Sequence, residues 1–221
     1  ALQQLAAAWR RSLPVSLIAV TGSNGKTTVT QMLAAILQAW LGERGFATQG
    51  NLNNHIGVPL TLLRLRAHQV GVVELGTNHE GEIALLAQLA APQVALVNNA
   101  QREHQEFLHG LEAVARENGS VISALGADGA AVFPSDDGCA GIWRELAGSR
   151  RVRTFALDDA TADVTGQALW NVDHWDLAIS APEGSTSTTL AIAGRLPPGA
   201  HMERVNDYLA RVSAASMAAV T

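Results

Sequence analysis

The chain of 221 residues is poor in cysteine and in long apolar runs, and each shortage excludes a class of protein. Its one cysteine, Cys139, cannot form an internal disulfide, which fits a reducing compartment or a fold that needs no disulfide. No apolar run reaches the roughly 20 residues that a membrane-spanning helix requires. Arg10 and Arg11 follow the apolar stretch 5–9 instead of preceding it, the wrong order for a secretory signal. These features predict a cytoplasmic protein.

Positive charge is also scarce, and lysine most of all. The 15 basic residues are outnumbered by 20 acidic ones, which gives a formal net charge of −5. This balance argues against a protein whose main role is to grip a nucleic-acid backbone. Lys26 is the single lysine of the sequence, so an anionic ligand is expected to be held locally. The first residue is Ala1 and not Met, which suggests a piece of a longer polypeptide.

Strands that alternate with helices are predicted along the first 160 residues, because short apolar runs are followed by apolar residues at helical spacing. This alternation predicts an α/β fold with a mostly parallel P-loop sheet and helices on both faces. The predicted strands are 15–20, 70–75, 94–98, 130–133 and 152–156, and the predicted helices are 27–40, 57–65, 81–90, 111–125 and 142–146.

The pattern changes after residue 160. Runs at 164–169, 175–179 and 188–192, separated by polar or glycine-containing turns, predict a small antiparallel meander at the far edge of the sheet. A closing helix is predicted over 203–219. The chain has no internal repeat and no low-complexity linker, so residues 1–221 are predicted to form one domain.

The segment TGSNGKTT, residues 21–28, joins the first predicted strand to a helix. In such a loop the backbone N–H groups and the helix amino end surround a phosphate, the lysine neutralises its β and γ oxygens, and the next hydroxyl ligates Mg²⁺. The strict pattern places glycine where this chain has Val20, so the loop is a variant. The residues predicted to bind the phosphates are Gly22, Ser23, Asn24, Gly25, Lys26, Thr27 and Thr28.

Two further side chains follow predicted strands at the carboxyl edge of the sheet, where open α/β sheets bind ligands. Glu74 is a hard oxygen ligand suited to Mg²⁺. His104 can ligate a second divalent cation through a neutral imidazole, although a loop histidine is usually just solvated. Thr27 and Glu74 are therefore predicted to hold one metal ion, whereas position alone leaves His104 open as a ligand of a second.

An asparagine cluster precedes the predicted helix 57–65. Asn51, Asn53 and Asn54 could cap that helix or hydrogen-bond a ligand, and the sequence leaves both roles open.

Three segments strengthen the motif. They are GNLNNHIGVPLTLL at 50–63, ELGTNHEGEI at 74–83 and VNNA at 97–100. With the loop, which folylpolyglutamate synthetase shares, they resemble the Mur ligases of peptidoglycan synthesis, and within that family the branch that adds D-alanyl-D-alanine. The resemblance runs from about residue 1 to residue 200.

The resemblance implies a ligase chemistry. ATP would phosphorylate the terminal carboxylate of UDP-MurNAc-tripeptide, and the amine of D-Ala-D-Ala would attack the acyl phosphate to give an amide, ADP and phosphate. Lys26 would grip the γ-phosphate, Thr27 and Glu74 would hold one Mg²⁺, and His104 the second; Lys26, Glu74 and His104 are thus the expected catalytic residues. The asparagine cluster would contact phosphate or substrate.

The chain also departs from the family pattern. The family has an amino-terminal UDP-sugar domain and a carboxyl-terminal domain that presents the incoming group, and only the central ATPase is expected here, as a monomer inactive in the full reaction by itself. The metal-supporting lysine of many relatives corresponds to Asn118, so no carbamylated lysine can form there.

The adenine-contacting motif of the family is altered as well. Asn206 is the candidate contact, but its register is shifted, and Gly199-Ala-His-Met202 resembles a cloning remnant, which leaves open whether 199–221 is native. Two alternatives to the leading interpretation remain: another Mur or folylpolyglutamate synthetase-like ligase, and a non-catalytic nucleotide-binding module.

Overall fold

The computed structural model describes residues 1–101, 110–157, 159–172 and 174–190. Three predictions lie outside these residues: the closing helix 203–219, His104 and Asn206.

The described part of the chain contains six α-helices, one short 3₁₀ helix at Gly42–Arg44 and nine strands. The helices are α1 Leu2–Arg11, α2 Lys26–Leu41, α3 Gly57–Leu62, α4 Glu82–Ala90, α5 Leu111–Ser123 and α6 Ala140–Ala147. The strands are β1 Ser16–Thr21, β2 Gly45–Ala47, β3 Val70–Glu74, β4 Val94–Val97, β5 Ala130–Pro134, β6 Arg151–Ala156, β7 Val164–Asn171, β8 His174–Ala181 and β9 Gly184–Leu190.

All nine strands form one sheet in the order β2-β3-β1-β4-β5-β6-β7-β8-β9. The strands from β2 to β7 pair in parallel, whereas β7, β8 and β9 pair antiparallel. This confirms the predicted α/β class and the meander at one edge. Strand β1 lies between β3 and β4. The chain therefore places β2 and β3 on one side of β1 and the strands from β4 onward on the other. The carboxyl end of β1 is therefore the switch point at which open α/β sheets bind ligands.

The sheet is buried between two apolar clusters, one on each face. On one face the helices α1, α4, α5 and α6 pack over alternate strand residues such as Leu17 and Ala19. On the other face α2 contributes Leu33 and Leu37 against the remaining strand residues, among them Ile18. Burial of both faces explains why the parallel strands are continuous apolar runs without alternation.

Helix α1 was not predicted, and a buried arginine explains its position. Arg10 is only 4% exposed, and its guanidinium donates to the carbonyls of Ala90 (2.8 Å) and Ala91 (3.1 Å) at the end of α4. Burial lowers the pKa of Arg10. The indole of Trp9 donates to the carbonyl of Leu65 at 3.0 Å. These contacts connect residues far apart in sequence, so no local pattern reveals them.

Two boundaries and one strand also differ from the prediction. Helix α3 ends at Leu62 and not at residue 65. Strand β9 begins at Gly184, earlier than expected, because its Ser and Thr residues pair through the backbone and contribute little apolar signal. The three-residue strand β2 was not predicted, since a short edge strand carries almost no periodicity. Within the described ranges no helix has the length and apolar character to cross a membrane.

Candidate phosphate and metal site

The predicted phosphate loop lies at the switch point, between β1 and α2. Gly22 and Gly25 have φ angles of +133° and +69°, values that favour glycine. At Gly22 space is also limited, because a Cβ would lie 3.0 Å from Cβ of Asn98 and 3.1 Å from the backbone nitrogen of Asn99. The backbone can therefore bend tightly here and direct N–H groups toward a bound anion.

Lys26 is the first residue of α2. Its Nζ donates to the carbonyl oxygens of Gly22 (2.5 Å) and Ser23 (3.2 Å), so the ammonium group lies over the loop. The positive charge is thus added to the amino end of a helix that itself favours anions. This is the arrangement that the motif predicts for a lysine that contacts phosphate.

Glu74 ends β3, the strand next to β1, and faces the same loop. It is 1% exposed. Its Oε1 accepts hydrogen bonds from Oγ1 of Thr27 (3.1 Å) and from Nδ2 of Asn53 (2.7 Å). Its backbone N–H donates to Oγ1 of Thr48 at 3.0 Å. The structure therefore brings together two of the predicted metal ligands, Thr27 and Glu74.

The second carboxylate oxygen of Glu74 carries the strongest indication of a ligand. Oε2 is buried and has no hydrogen-bond partner among the described residues. A buried carboxylate oxygen without a partner is costly, which suggests an ion or water at this position. Carboxylate and hydroxyl oxygens suit Mg²⁺, which usually takes one or two carboxylates and completes its shell with water and substrate phosphates.

The metal would thus have few protein ligands here. Among the described residues no group of three or more His, Cys, Asp or Glu side chains could hold a metal ion. Two protein oxygens still fit Mg²⁺ when phosphates supply further ligands. His104, the predicted ligand of a second cation, lies outside the described residues, and its role stays a prediction.

The loop after β4 holds the tip of the phosphate loop, a role that sequence reasoning did not assign. The amide of Asn99 accepts the backbone N–H of Asn24 (3.1 Å), and Nδ2 of Asn98 donates to the carbonyl of Asn24 (2.7 Å). The backbone N–H of Gln101 donates to Oγ of Ser23 at 2.8 Å. The polar run after a buried strand was a signal for these residues.

The three residues of the asparagine cluster make different contacts. Asn53 donates to Glu74, as described above, and Asn51 is exposed. Oδ1 of Asn54 accepts the backbone N–H groups of Ile56 (3.1 Å) and Gly57 (2.8 Å) at the start of α3. Asn54 therefore performs the capping role that was one of the two alternatives.

Asn118 is buried in α5. Its carbonyl oxygen accepts the hydroxyl of Thr21 at 2.9 Å, so the helix contacts the beginning of the phosphate loop. The structure thus places Asn118 near the loop through its backbone carbonyl.

The loop after Glu74 is held by two further carboxylates. Oε2 of Glu82 accepts the backbone N–H groups of Asn78 (2.7 Å) and His79 (3.2 Å). Burial by itself would raise the pKa of Glu82, but these hydrogen bonds outweigh it and lower the pKa. Glu117 of α5 accepts the N–H groups of Gly81 (2.8 Å) and Ile83 (2.9 Å) at the start of α4.

Comparison with known proteins identifies the family. The model of the Mur ligase middle domain matches residues 20–197, most of the chain and all of the phosphate site. The chain belongs to the Mur ligase middle-domain family. The resemblance inferred from the motifs is thereby confirmed. The Mur ligase middle domain is an ATP-binding domain.

Two curated relatives of this Mur ligase domain share one name, UDP-N-acetylmuramoyl-tripeptide–D-alanyl-D-alanine ligase. The protein from Escherichia coli strain K12 is 40% identical over 197 residues, which cover 88% of this chain and 43% of that protein. The protein from Haemophilus influenzae is 35% identical over 201 residues, which cover 88% of this chain and 42% of that protein. The chain therefore spans less than half the length of these relatives.

The fold of the Mur ligase domain has solved counterparts. A crystal structure of MurF from Acinetobacter baumannii matches with a TM-score of 0.84 and 31% identity. The match covers 99% of this chain and 46% of that chain.

Proposed function

We propose that this chain is the ATP-binding central part of a ligase that joins D-alanyl-D-alanine to UDP-MurNAc-tripeptide through an acyl phosphate. The observation that carries the proposal is the phosphate loop beside Oε2 of Glu74, which has no partner in the described part of the chain. The 40% identity to the Escherichia coli enzyme of that name supports this choice of substrates. The UDP-linked tripeptide and D-Ala-D-Ala would bind with the help of flanking domains.

The chain's own residues contribute positioning and charge, which is most of what phosphoryl transfer requires. The backbone N–H groups of residues 22–28 bind the nucleotide phosphates. Lys26 moves from the carbonyls of Gly22 and Ser23 to the γ-phosphate, where its charge offsets the negative charge that develops during transfer. Because Asn98 and Asn99 hold the loop tip, little reorganisation is required on binding.

Thr27 and Glu74 would hold one Mg²⁺, with Asn53 keeping the carboxylate in place. When bound, that ion would offset the negative charge of the β and γ phosphate oxygens. His104 would hold a second ion, and Asn206 would contact the adenine. Asn51, which is exposed near Asn53, would contact substrate, whereas Asn54 caps α3. Because the chemistry consumes ATP and a UDP-linked precursor, the enzyme would act in the cytoplasm.

The proposal is tested by substrate-dependent phosphate release in the full-length protein. We expect release to require ATP, UDP-MurNAc-tripeptide and D-Ala-D-Ala together. Lys26→Ala should abolish turnover because it removes the charge that contacts the γ-phosphate. Arg11→Ala, which removes the charge of an exposed residue at the end of α1, is the matched control and should retain the parent activity.

Different results would favour the alternatives. Turnover with a different amino acid or with a folate and glutamate would assign the chain to another ligase of this type. Nucleotide binding without substrate-dependent turnover would indicate a non-catalytic binding module. Full turnover by Lys26→Ala would contradict the role of the lysine.

A further inference from the structure

A pocket lies beside strand β2, and Thr48 is part of its lining. It has a volume of about 400 Å³, within the range of small-molecule sites. Its lining includes Gln31, Phe46, Thr48, Arg64 and His68, and it contains no acidic residue. Thr48 connects it to the metal site, because its hydroxyl accepts the backbone N–H of Glu74.

Arg64 has a hydrogen-bond donor in this region that nothing in the described chain satisfies. Its Nη1 is shielded from solvent and has no partner among the described residues. The guanidinium lies over the ring of Phe46, with Cζ 5.6 Å from the ring centroid. That cation–π contact uses the face of the guanidinium, so it does not satisfy the in-plane N–H groups of Nη1, which have no acceptor among the described residues. A buried charged donor without an acceptor is costly, so an oxygen ligand is expected.

His68 supplies a second donor to the same pocket. Its ring packs edge to face against Phe46, with the centroids 4.9 Å apart. Nδ1 accepts the backbone N–H of Arg66 at 2.9 Å, so the proton of the neutral ring is on Nε2. Burial lowers the pKa of His68, and the charges of Arg64 and Arg66 lower it further. His68 is therefore a neutral donor at pH 7.

We propose that this pocket binds a carboxylate or phosphate group of a small organic anion, with Arg64 Nη1 and His68 Nε2 donating to its oxygens. A guanidinium is suited to planar and tetrahedral oxyanions, and the absence of an acidic residue in the lining removes any repulsion. The site is separate from residues 22–28 and does not depend on nucleotide binding there. Its oxyanion would come either from an acidic substrate or from free phosphate.

The test follows the imidazole resonances of His68 by NMR in the 221-residue chain at pH 7. Lys26→Ala is present throughout, so that the phosphate loop does not contribute. The chain is titrated separately with acetate, inorganic phosphate and acetamide, which has the shape of acetate without its charge. We expect acetate or phosphate to shift the Nε2 resonance and to raise the pKa of His68, because an opposite charge stabilises the imidazolium. Acetamide should produce no shift.

Variants show whether binding depends on Arg64 itself or on the positive charge of the protein in general. Arg64→Gln should weaken the apparent affinity about tenfold or more, because a hydrogen bond to a charged group is lost. Arg64→Lys should retain part of it. Arg151→Gln is the matched control, since Arg151 is exposed on β6 and its side chain donates to the carbonyl of Asp128, away from the pocket; it should bind like the parent.

The titration distinguishes a carboxylate ligand from a phosphate ligand. Tighter binding of acetate assigns the site to a carboxylate, as in an acidic substrate, and tighter binding of phosphate assigns it to a phosphate; both support the proposal. An unmoved His68 resonance in the parent would overturn it. An equal shift in folded Arg64→Gln would also overturn it. If that variant fails to fold, the proposal is overturned when the parent and Arg64→Lys each bind acetamide as tightly as acetate.

Discussion

At the scale of single residues, Glu74 determines how the site would use a metal. Two donors, from Thr27 and Asn53, meet the same oxygen, Oε1. The other oxygen is buried and has no partner within the described ranges. An ionised carboxylate in that position is more costly than a neutral amide of the same shape as long as no cation is near. We therefore expect Glu74 to strengthen metal binding while lowering the stability of the metal-free protein.

Glu74→Gln tests this balance. The amide keeps an oxygen that can accept from Thr27 and Asn53, but it removes the charge that would meet Mg²⁺. We expect ATP to raise the melting temperature only when Mg²⁺ is bound as well. In the variant this effect should require a Mg²⁺ concentration about tenfold higher or more. Without metal the variant should be at least as stable as the parent. Thermal unfolding at several Mg²⁺ concentrations measures both effects.

The control is Asp128→Asn. Asp128 is exposed and precedes β5, so it lies at the edge of the sheet opposite the phosphate loop. The same charge change there should leave the Mg²⁺ dependence unchanged. An unaltered Mg²⁺ dependence in Glu74→Gln would remove Glu74 from the set of metal ligands.

At the scale of elements, loops at the carboxyl edge are held by side chains from other elements. The loop after β4 holds the phosphate loop, and Glu117 of α5 holds the beginning of α4. The sequence predicts α4 and α5 as helices with nearly correct bounds. It does not predict the role of Glu117, because a carboxylate within a helix usually faces solvent and the contact joins residues 34 to 36 positions apart.

Glu117→Ala tests the contribution of this contact. Glu117 is 5% exposed and accepts two backbone N–H groups, one of them from buried Ile83. Its removal should lower the free energy of unfolding by about 2–3 kcal/mol, because a buried donor loses a charged acceptor. Urea unfolding of the parent and the variant measures the difference. Glu80→Ala, in the exposed part of the same loop, should change the free energy by less than about 0.5 kcal/mol. Equal stability of the two variants would refute a structural role for Glu117.

At the scale of the whole molecule, strand order brings the site together. The strands β3, β1 and β4 are neighbours, although 48 residues separate the start of β3 from the end of β1. Local patterns were sufficient to predict the parallel strands other than β2, the phosphate loop and Glu74, because each has its own periodicity or motif. They were not sufficient for α1, whose position depends on Arg10, or for the pocket at Arg64 and His68, which exists only after β2 packs against the segment that follows α3.

The most direct test of the account is a crystal structure of the chain with a non-hydrolysable ATP analogue and Mg²⁺. We expect the β and γ phosphates within hydrogen-bond distance of the backbone N–H groups of residues 22–28, Nζ of Lys26 on the γ-phosphate, and Mg²⁺ in contact with Oγ1 of Thr27 and Oε2 of Glu74. Phosphates bound away from residues 22–28, with Lys26 still donating to Gly22 and Ser23, would contradict the central claim.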